Sequence, residues 1–283
     1  MTRIPTGRSS LVKFGLIFTL YMSQGTATGF LVAGFPSVMR ALGLPLEILW
    51  VAFMPPIFYS TKFLWAPLAD RYWIRSLGRR RTWLLPAALG LSASFLVLAR
   101  FPPDQSLVAS AAALLLIGLC GANLDIATDA YAVEMLNAAE RGIGNGLQSA
   151  GLVCGAVIGD GVMLVVVDNF GWANAMVTLA VAIPLIAAPA LIRREPPPPV
   201  AGWDDGTPDA SLLRFLRRPE APAMLVLGLA TGLCYYLVFP IVGPFLVDSG
   251  LSLTQVGLAV GIVGTAAGVL GALLGGVSIN FFG

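Results

Sequence analysis

Asp125 and Asp129 stand four residues apart in the run 117–131, Ile-Gly-Leu-Cys-Gly-Ala-Asn-Leu-Asp-Ile-Ala-Thr-Asp-Ala-Tyr, whose other residues are apolar, small or neutral. On a helix this spacing puts both carboxylates on one face. A charge at bilayer depth costs about 2.5–3.5 kcal/mol on insertion scales. Two on one face therefore require a wet cavity, a cationic partner or a bound proton. The chemistry open to such a pair is reversible protonation, because an apolar surround favours the neutral form of a carboxyl group. A purely structural pair, held by a cation near the helix end, satisfies the same spacing. Lys62 is a candidate cation. It lies eight residues before Asp70, as Asp125 lies nine before Glu134. At about 1.5 Å per residue the two reach similar depths, roughly 12–13 Å from one end of their helices. A Lys62–Asp125 or Lys62–Asp129 pair is feasible, and snorkelling of the lysine to the interface competes with it. A further acid, Asp160, follows glycines at positions 151, 155 and 159. Their spacing favours close helix packing, and Asp160 either faces a cavity or approaches the membrane interface.

These residues need elements to hold them, and composition says which kind. The chain is 57% hydrophobic and 11% charged, with a mean hydropathy of +0.83. Soluble domains carry roughly 25% charged residues. An all-α polytopic membrane protein is expected. Histidine is absent, which removes imidazole relays and Ser-His-Asp triads and leaves proton chemistry to carboxylates. Cys120, Cys154 and Cys234 lie in apolar runs without zinc spacing and read as small hydrophobes. No metal or cofactor is expected, and no cleavable signal peptide.

A spanning helix needs about 20 apolar residues. Eight runs qualify: Phe14–Phe35, Ile48–Ala69, Trp83–Ala99, Leu107–Ala132, Ile143–Val167, Trp172–Ile192, Ala221–Val247 and Thr254–Phe282. Pro36, Pro55–Pro56, Pro240 and Pro244 predict kinks or breaks. Lysine and arginine alternate in density between the connections. Arg3, Arg8 and Lys13, then Arg71, Arg75 and Arg79–Arg81, then Arg141, then Arg193, Arg194, Arg214, Arg217 and Arg218 fall on one side. Arg40 and Arg100 fall on the other. This bias predicts a cytoplasmic amino terminus in an inner membrane.

The stretch 193–220 carries Pro196–Pro199 and Trp203-Asp-Asp-Gly-Thr-Pro208, the composition of an extended linker. It ends in a short basic amphipathic stretch, 211–218, read as a surface helix. Around it the chain repeats weakly. Ala41-Leu-Gly-Leu-Pro-Leu46 and Asp248-Ser-Gly-Leu-Ser-Leu253 both place a Gly-Leu-x-Leu turn between apolar runs, at the offset that also relates Gly25 to Gly232. Two related halves are expected. Residues 1–192 would form a six-helix bundle, 193–220 a cytoplasmic linker, and 221–283 the first two helices of a second bundle. On this reading the chain is a fragment that lacks four spans.

Between the second and third runs the sequence reads Ala66-Pro-Leu-Ala-Asp-Arg-Tyr72, then Gly78-Arg-Arg-Arg81. This resembles the signature loop of the major facilitator superfamily, Gly-x-Leu-Ala-Asp-Arg-x-Gly-Arg-Arg. Ala66 replaces the first glycine, and Trp73–Leu77 is an insertion. Three further segments, Leu20-Tyr-Met-Ser-Gln-Gly25 continuing to Gly29-Phe30 and Pro36, Lys62-Phe-Leu-Trp-Ala-Pro67, and Asp125–Tyr131 followed by Glu140-Arg-Gly142, resemble the branch holding muropeptide permeases, pyochelin- and rhizobactin-type siderophore importers and acetyl-CoA transporters. The resemblance implies twelve helices in two bundles, a central cavity and alternating access driven by protons. It implies a gating cluster at Asp70, Arg71, Gly78, Arg79 and Arg80, with positive-inside topology as the plainer reading of the arginines. The first, fourth and seventh helices line the cavity in this superfamily, which nominates Gln24 and Thr28, with Thr26 beside them, and Tyr235 and Tyr236. The proline that marks antiporters in the fifth helix is missing, which leans against antiport.

The expected activity is secondary transport of a medium-sized amphipathic solute by proton symport, in a monomer that meets lipid, solute and proton and no nucleic acid. A siderophore is the first substrate expectation and a muropeptide the second. The alternative is a membrane-embedded enzyme acting on a lipid or cell-wall precursor.

Overall fold

A computed structural model describes residues 8–137, 140–192, 217–233 and 239–268. The expected sites Tyr235 and Tyr236, Cys234 and most of the linker lie outside these residues. All regular elements among the described residues are helices, without strands. We label the helices α1 (Ser10–Ala41), α3 (Arg81–Arg100), α4 (Leu107–Met135), α5 (Arg141–Phe170) and α6 (Trp172–Ile192), with α2 for the broken segment 46–71. The second half contributes α7 (Ala221–Leu233), α8 (Phe239–Asp248) and α9 (Leu253–Gly268). Five of these, α1 and α3–α6, are long and apolar enough to cross a membrane.

Segment α2 departs from the single span expected there. It runs as a 3-10 stretch Leu46–Phe53, an α-helix Pro56–Thr61, a 3-10 turn Lys62–Leu64 and an α-helix Ala66–Arg71. Proline explains the breaks. Pro56 and Pro67 occupy the first or second helical positions, where a missing N–H is harmless, and each ends whatever ladder precedes it. Pro86, Pro184 and Pro189, by contrast, sit inside helices that continue through them, as neighbouring helices allow in membranes. Helix α1 is also irregular. Phe30–Gly34 is π-helical just before Pro36, which cannot donate to the carbonyl four residues earlier.

Two local signals set helix starts. Ser106 caps α4 by accepting from the Ala109 N–H at 3.4 Å. Ser252 and Gln255 form a reciprocal capping box at the start of α9.

The packing follows the sequence logic of small residues. Helices α1 and α5 run together along a seam of glycines: a Cβ added at Gly25 would lie 2.3 Å from the Leu152 carbonyl oxygen, and one at Gly155 would lie 2.1 Å from that of Met22. Such a seam lets two backbones touch, which supplies the dispersion and weak hydrogen bonding that hold helices together in lipid. Where α5 turns π-helical, at Val157–Val162, Gly161 meets Gly257 and Gly261 of the π-helical stretch Gly257–Gly264 in α9. The core beneath is aromatic. Phe30 packs edge-on against Phe35 and Phe95, with centroids 6.1 Å away in both cases. Trp172 closes the cluster and donates its indole N–H to the Leu98 carbonyl at 2.9 Å.

Opposite ends of the bundle are tied differently. At one, Arg40 pairs with Asp248, while Asp168 accepts from the Thr254 hydroxyl at 2.6 Å. At the other, buried Glu140 accepts from Ser10 at 2.8 Å, from Lys13 at 3.3 Å and from the Asn137 N–H at 3.1 Å. The Asn137 backbone, then the Ser10 hydroxyl and Lys13, hold this carboxyl below its ordinary value of 4.5. A depressed carboxylate stabilises the fold above its ordinary pKa and loses that contribution as pH falls through the folded value. Glu140→Gln is therefore expected to lower the unfolding midpoint by about 2–4 °C at pH 7. The gap from the parent should narrow as pH falls below the ordinary value of 4.5, which scans of the detergent-solubilised protein at pH 7 and at successively more acid pH will measure.

Candidate functional site

Helices α1 and α4 and segment α2 meet around Asp125. Its Oδ1 accepts from the Gln24 Nε2 and its Oδ2 from the Lys62 ammonium. Lys62 also lies 3.7 Å from the Asp129 Oδ2, and the Asp129 Oδ1 accepts from the Tyr21 hydroxyl at 2.6 Å. One lysine thus bridges two carboxylates from the same helical face, and α1 contributes one polar side chain to each. The break in α2 matters here. Lys62 begins the 3-10 turn Lys62–Leu64, so the lysine that faces the acids sits on irregular backbone.

The exposures divide the labour. The side chain of Asp125 is 12% exposed, that of Lys62 31% and that of Asp129 50%. Asp125 is thus the buried member of the pair, and Asp129 opens toward solvent. Residues of the network line two cavities. One, of about 180 Å³, is lined by Gln24, Thr28, Ala52, Pro55, Tyr59 and Asp125 among others. The other, of about 390 Å³, is lined by Lys62, Asp70, Arg80, Asp129 and Glu134 among others. Gln24 is buried, and its Oε1 has no hydrogen-bond partner. Thr28 sits on the wall of the smaller cavity, and its hydroxyl donates back to the Gln24 carbonyl at 2.9 Å. Thr26 does the same toward Met22 at 2.8 Å, so neither hydroxyl is spent on another helix.

The larger cavity ends at a charge cluster. Arg80, 4% exposed, reaches Asp70 at 2.7 Å and Glu134 at 2.6 Å. Arg79 lies 3.3 Å from each of the same two acids. Two arginines from the α2–α3 turn therefore tie the end of α2 to the end of α4. Gly78 makes the turn possible: its φ of 104° is a conformation that side chains with a Cβ rarely adopt. Arg71 stands apart, with its guanidinium 5.7 Å from the centroid of the Tyr72 ring and no ion pair among the described residues. Asp160 is also separate from the network. It is buried on α5, within the π-helical stretch Val157–Val162, with no cation paired to it among the described residues.

Two partners in this arrangement escape sequence reasoning. Tyr21 and Glu134 are unremarkable residues in apolar helices. Their helical offsets supply the only available signal: Tyr21 lies three residues before Gln24, and Glu134 nine after Asp125. Cys154, read as a buried small hydrophobe, is exposed on α5, while Cys120 is half-buried. Among the described residues no three His, Cys, Asp or Glu side chains gather as metal ligands. What this arrangement can do is move a proton or a cation charge between carboxylates beside a cavity.

The sequence profile of the Major Facilitator Superfamily matches residues 17–283. The chain belongs to this superfamily. Its all-helical architecture with five membrane-span candidates among the described residues is consistent with that membership. The anhydromuropeptide permease of Escherichia coli K12 is 36% identical over 140 residues, which are 49% of this chain and 28% of that protein. An uncharacterized protein of Haemophilus influenzae is 37% identical over 114 residues, 40% of this chain and 27% of that protein. One of Schizosaccharomyces pombe is 29% identical over 156 residues, 53% and 30% respectively. The matched stretches thus span less than a third of each of these relatives.

Proposed function

We propose that this superfamily member works as a proton-driven secondary transporter in an inner membrane, as a monomer with its amino terminus in the cytoplasm. The observation that carries the proposal is the Lys62 bridge between Asp125 and Asp129 at the wall of a cavity. A proton arriving on Asp125 removes the charge that holds Lys62 there. Lys62 then keeps Asp129 as its remaining partner, and the contact between α2 and α4 loosens. The ties at the Arg40 end, between α1 and α8 and between α5 and α9, close the periplasmic side in this reading. The Asp70–Arg79–Arg80–Glu134 cluster gates the cytoplasmic side, while Arg71 serves topology. Asp160 is a second protonatable group of the passage. The six helices before residue 193 act as one rocking body, and 221–283 begins the other.

The solute we propose is a muropeptide. Sequence segments alone put a siderophore first, but the similarity to a protein named as an anhydromuropeptide permease reverses that order. Counterflow in proteoliposomes tests the proposal. Vesicles loaded with an unlabelled anhydromuropeptide should accumulate labelled anhydromuropeptide about tenfold over empty vesicles, and pyochelin should not compete. Exchange of neither solute overturns the transport reading; exchange of pyochelin alone overturns the substrate.

A further inference from the structure

The wall of the smaller cavity carries a side chain with two ends in two environments. Gln24, 5% exposed, lines the cavity and gives its Nε2 to Asp125, while its Oε1 is buried without a hydrogen-bond partner. An ionised carboxylate only accepts hydrogen bonds, so it dictates this orientation: the amide NH2 must face Asp125, and the carbonyl is left over. A protonated carboxyl changes the rule, because its O–H needs an acceptor. The last torsion of glutamine is broad and roughly two-fold, so turning the amide end for end is a cheap way to supply one. The NH2 then faces the cavity.

We infer that Gln24 couples solute to proton: its amide presents an acceptor to the cavity while Asp125 is ionised and a donor once Asp125 is protonated. This rests on the reading that Asp125 takes the proton. It assigns the chemistry of the solute as well. Symport requires the solute to bind better when the proton is bound, and linkage makes the preference mutual. The group that meets Gln24 is therefore an acceptor, an amide or carboxylate carbonyl. Leu31, Val32, Ala52, Pro55 and Pro56 line the cavity beside Thr28 and Tyr59 and suit a small alkyl portion beside that carbonyl. An N-acyl or peptide unit has both parts and fits a volume of about 180 Å³.

Among the described residues, few charged and titratable groups face Asp125. Lys62 and Tyr59 come from α2, Asp129 from α4, and Tyr21 from α1 through Asp129. Helix α3 carries charge only at its ends, Arg81 and Arg100. Lys62 is a donor only and lines the larger cavity rather than the smaller one, so it does not reverse the polarity of the smaller cavity. Gln24 is the group that does, and it acts as a positioning residue between solute and proton.

Equilibrium binding of a labelled anhydromuropeptide to the purified chain, between pH 5.5 and 8.5, tests this. The parent should bind about ten- to a hundredfold tighter at the acid end, the range one matched against one mismatched buried hydrogen bond produces. Gln24→Met keeps the length and loses the amide; Gln24→Asn keeps the amide and cannot reach Asp125. Both should bind with a dependence on pH flattened to less than about threefold. A parental slope in either variant overturns the role of Gln24. A parent whose affinity ignores pH overturns the proton reading beneath it, and a parent that does not bind the probe overturns the assigned solute chemistry. Asp125→Asn separates the two levels: if it flattens the profile while Gln24→Met does not, the proton site stands and the coupling residue lies elsewhere.

Discussion

Asp125→Asn is expected to abolish uptake driven by a pH gradient, by about a hundredfold or more, while the protein still inserts and folds. Asparagine preserves the shape of the site and can still meet Gln24. It removes the negative charge that faces the Lys62 ammonium and the group that would carry the proton. Breaking a fully buried ion pair costs about 3–5 kcal/mol. Here Lys62 is 31% exposed and keeps Asp129 at 3.7 Å, so the loss of stability is smaller than that and the loss of coupling dominates. Proteoliposomes with an imposed pH gradient measure the first, and elution as a monodisperse peak in detergent measures the second. Asp129→Asn is expected to be milder, since Asp129 is half exposed and shares Lys62 at the longer distance.

The second large effect is structural. A Cβ at Gly159 would lie 2.0 Å from the Thr26 carbonyl oxygen and 2.8 Å from the Phe30 nitrogen. These are backbone atoms of α1, which cannot swing aside as a side chain can. Gly159→Val should therefore force α1 and α5 apart and cost about 4 kcal/mol or more, the range of exceptional single substitutions, leaving little folded protein. Gly146→Ala is the control. It lies on the same helix with nothing within 4 Å of an added Cβ, and exchanging glycine for alanine in an exposed helix gains up to about 1 kcal/mol. Yield and thermal midpoint of the two variants, side by side, separate the seam from helix propensity.

The sequence disclosed these features unevenly, for physical reasons. The depths of Lys62 and Asp125 were counted as if both helices were regular, and the two still meet although Lys62 sits on a 3-10 turn. The register of the α5 glycines was accessible to arithmetic, because a repeat of four keeps one face. The break-up of α2 was legible only as a kink: proline marks where a ladder stops, and it does not say whether the remainder resumes as one helix. The π-helical turns at Phe30–Gly34, Val157–Val162 and Gly257–Gly264 left no trace in the periodicity, since one extra residue per turn shifts the faces that follow it without changing composition. Tyr21 and Glu134 were missed because their partners come from other helices, and lateral neighbours are set by packing. The signature loop exposed Asp70, Arg79 and Arg80 but not the acid on α4 that completes their cluster. The resemblance of that loop also nominated Arg71, which lies over the Tyr72 ring and forms no ion pair among the described residues.

The account turns on whether a proton travels with the solute. In lightly buffered proteoliposomes with no imposed gradient, a pulse of anhydromuropeptide should make protons disappear from the medium in step with its uptake, and Asp125→Asn should silence that signal. Solute entry with the external pH unmoved would contradict the account.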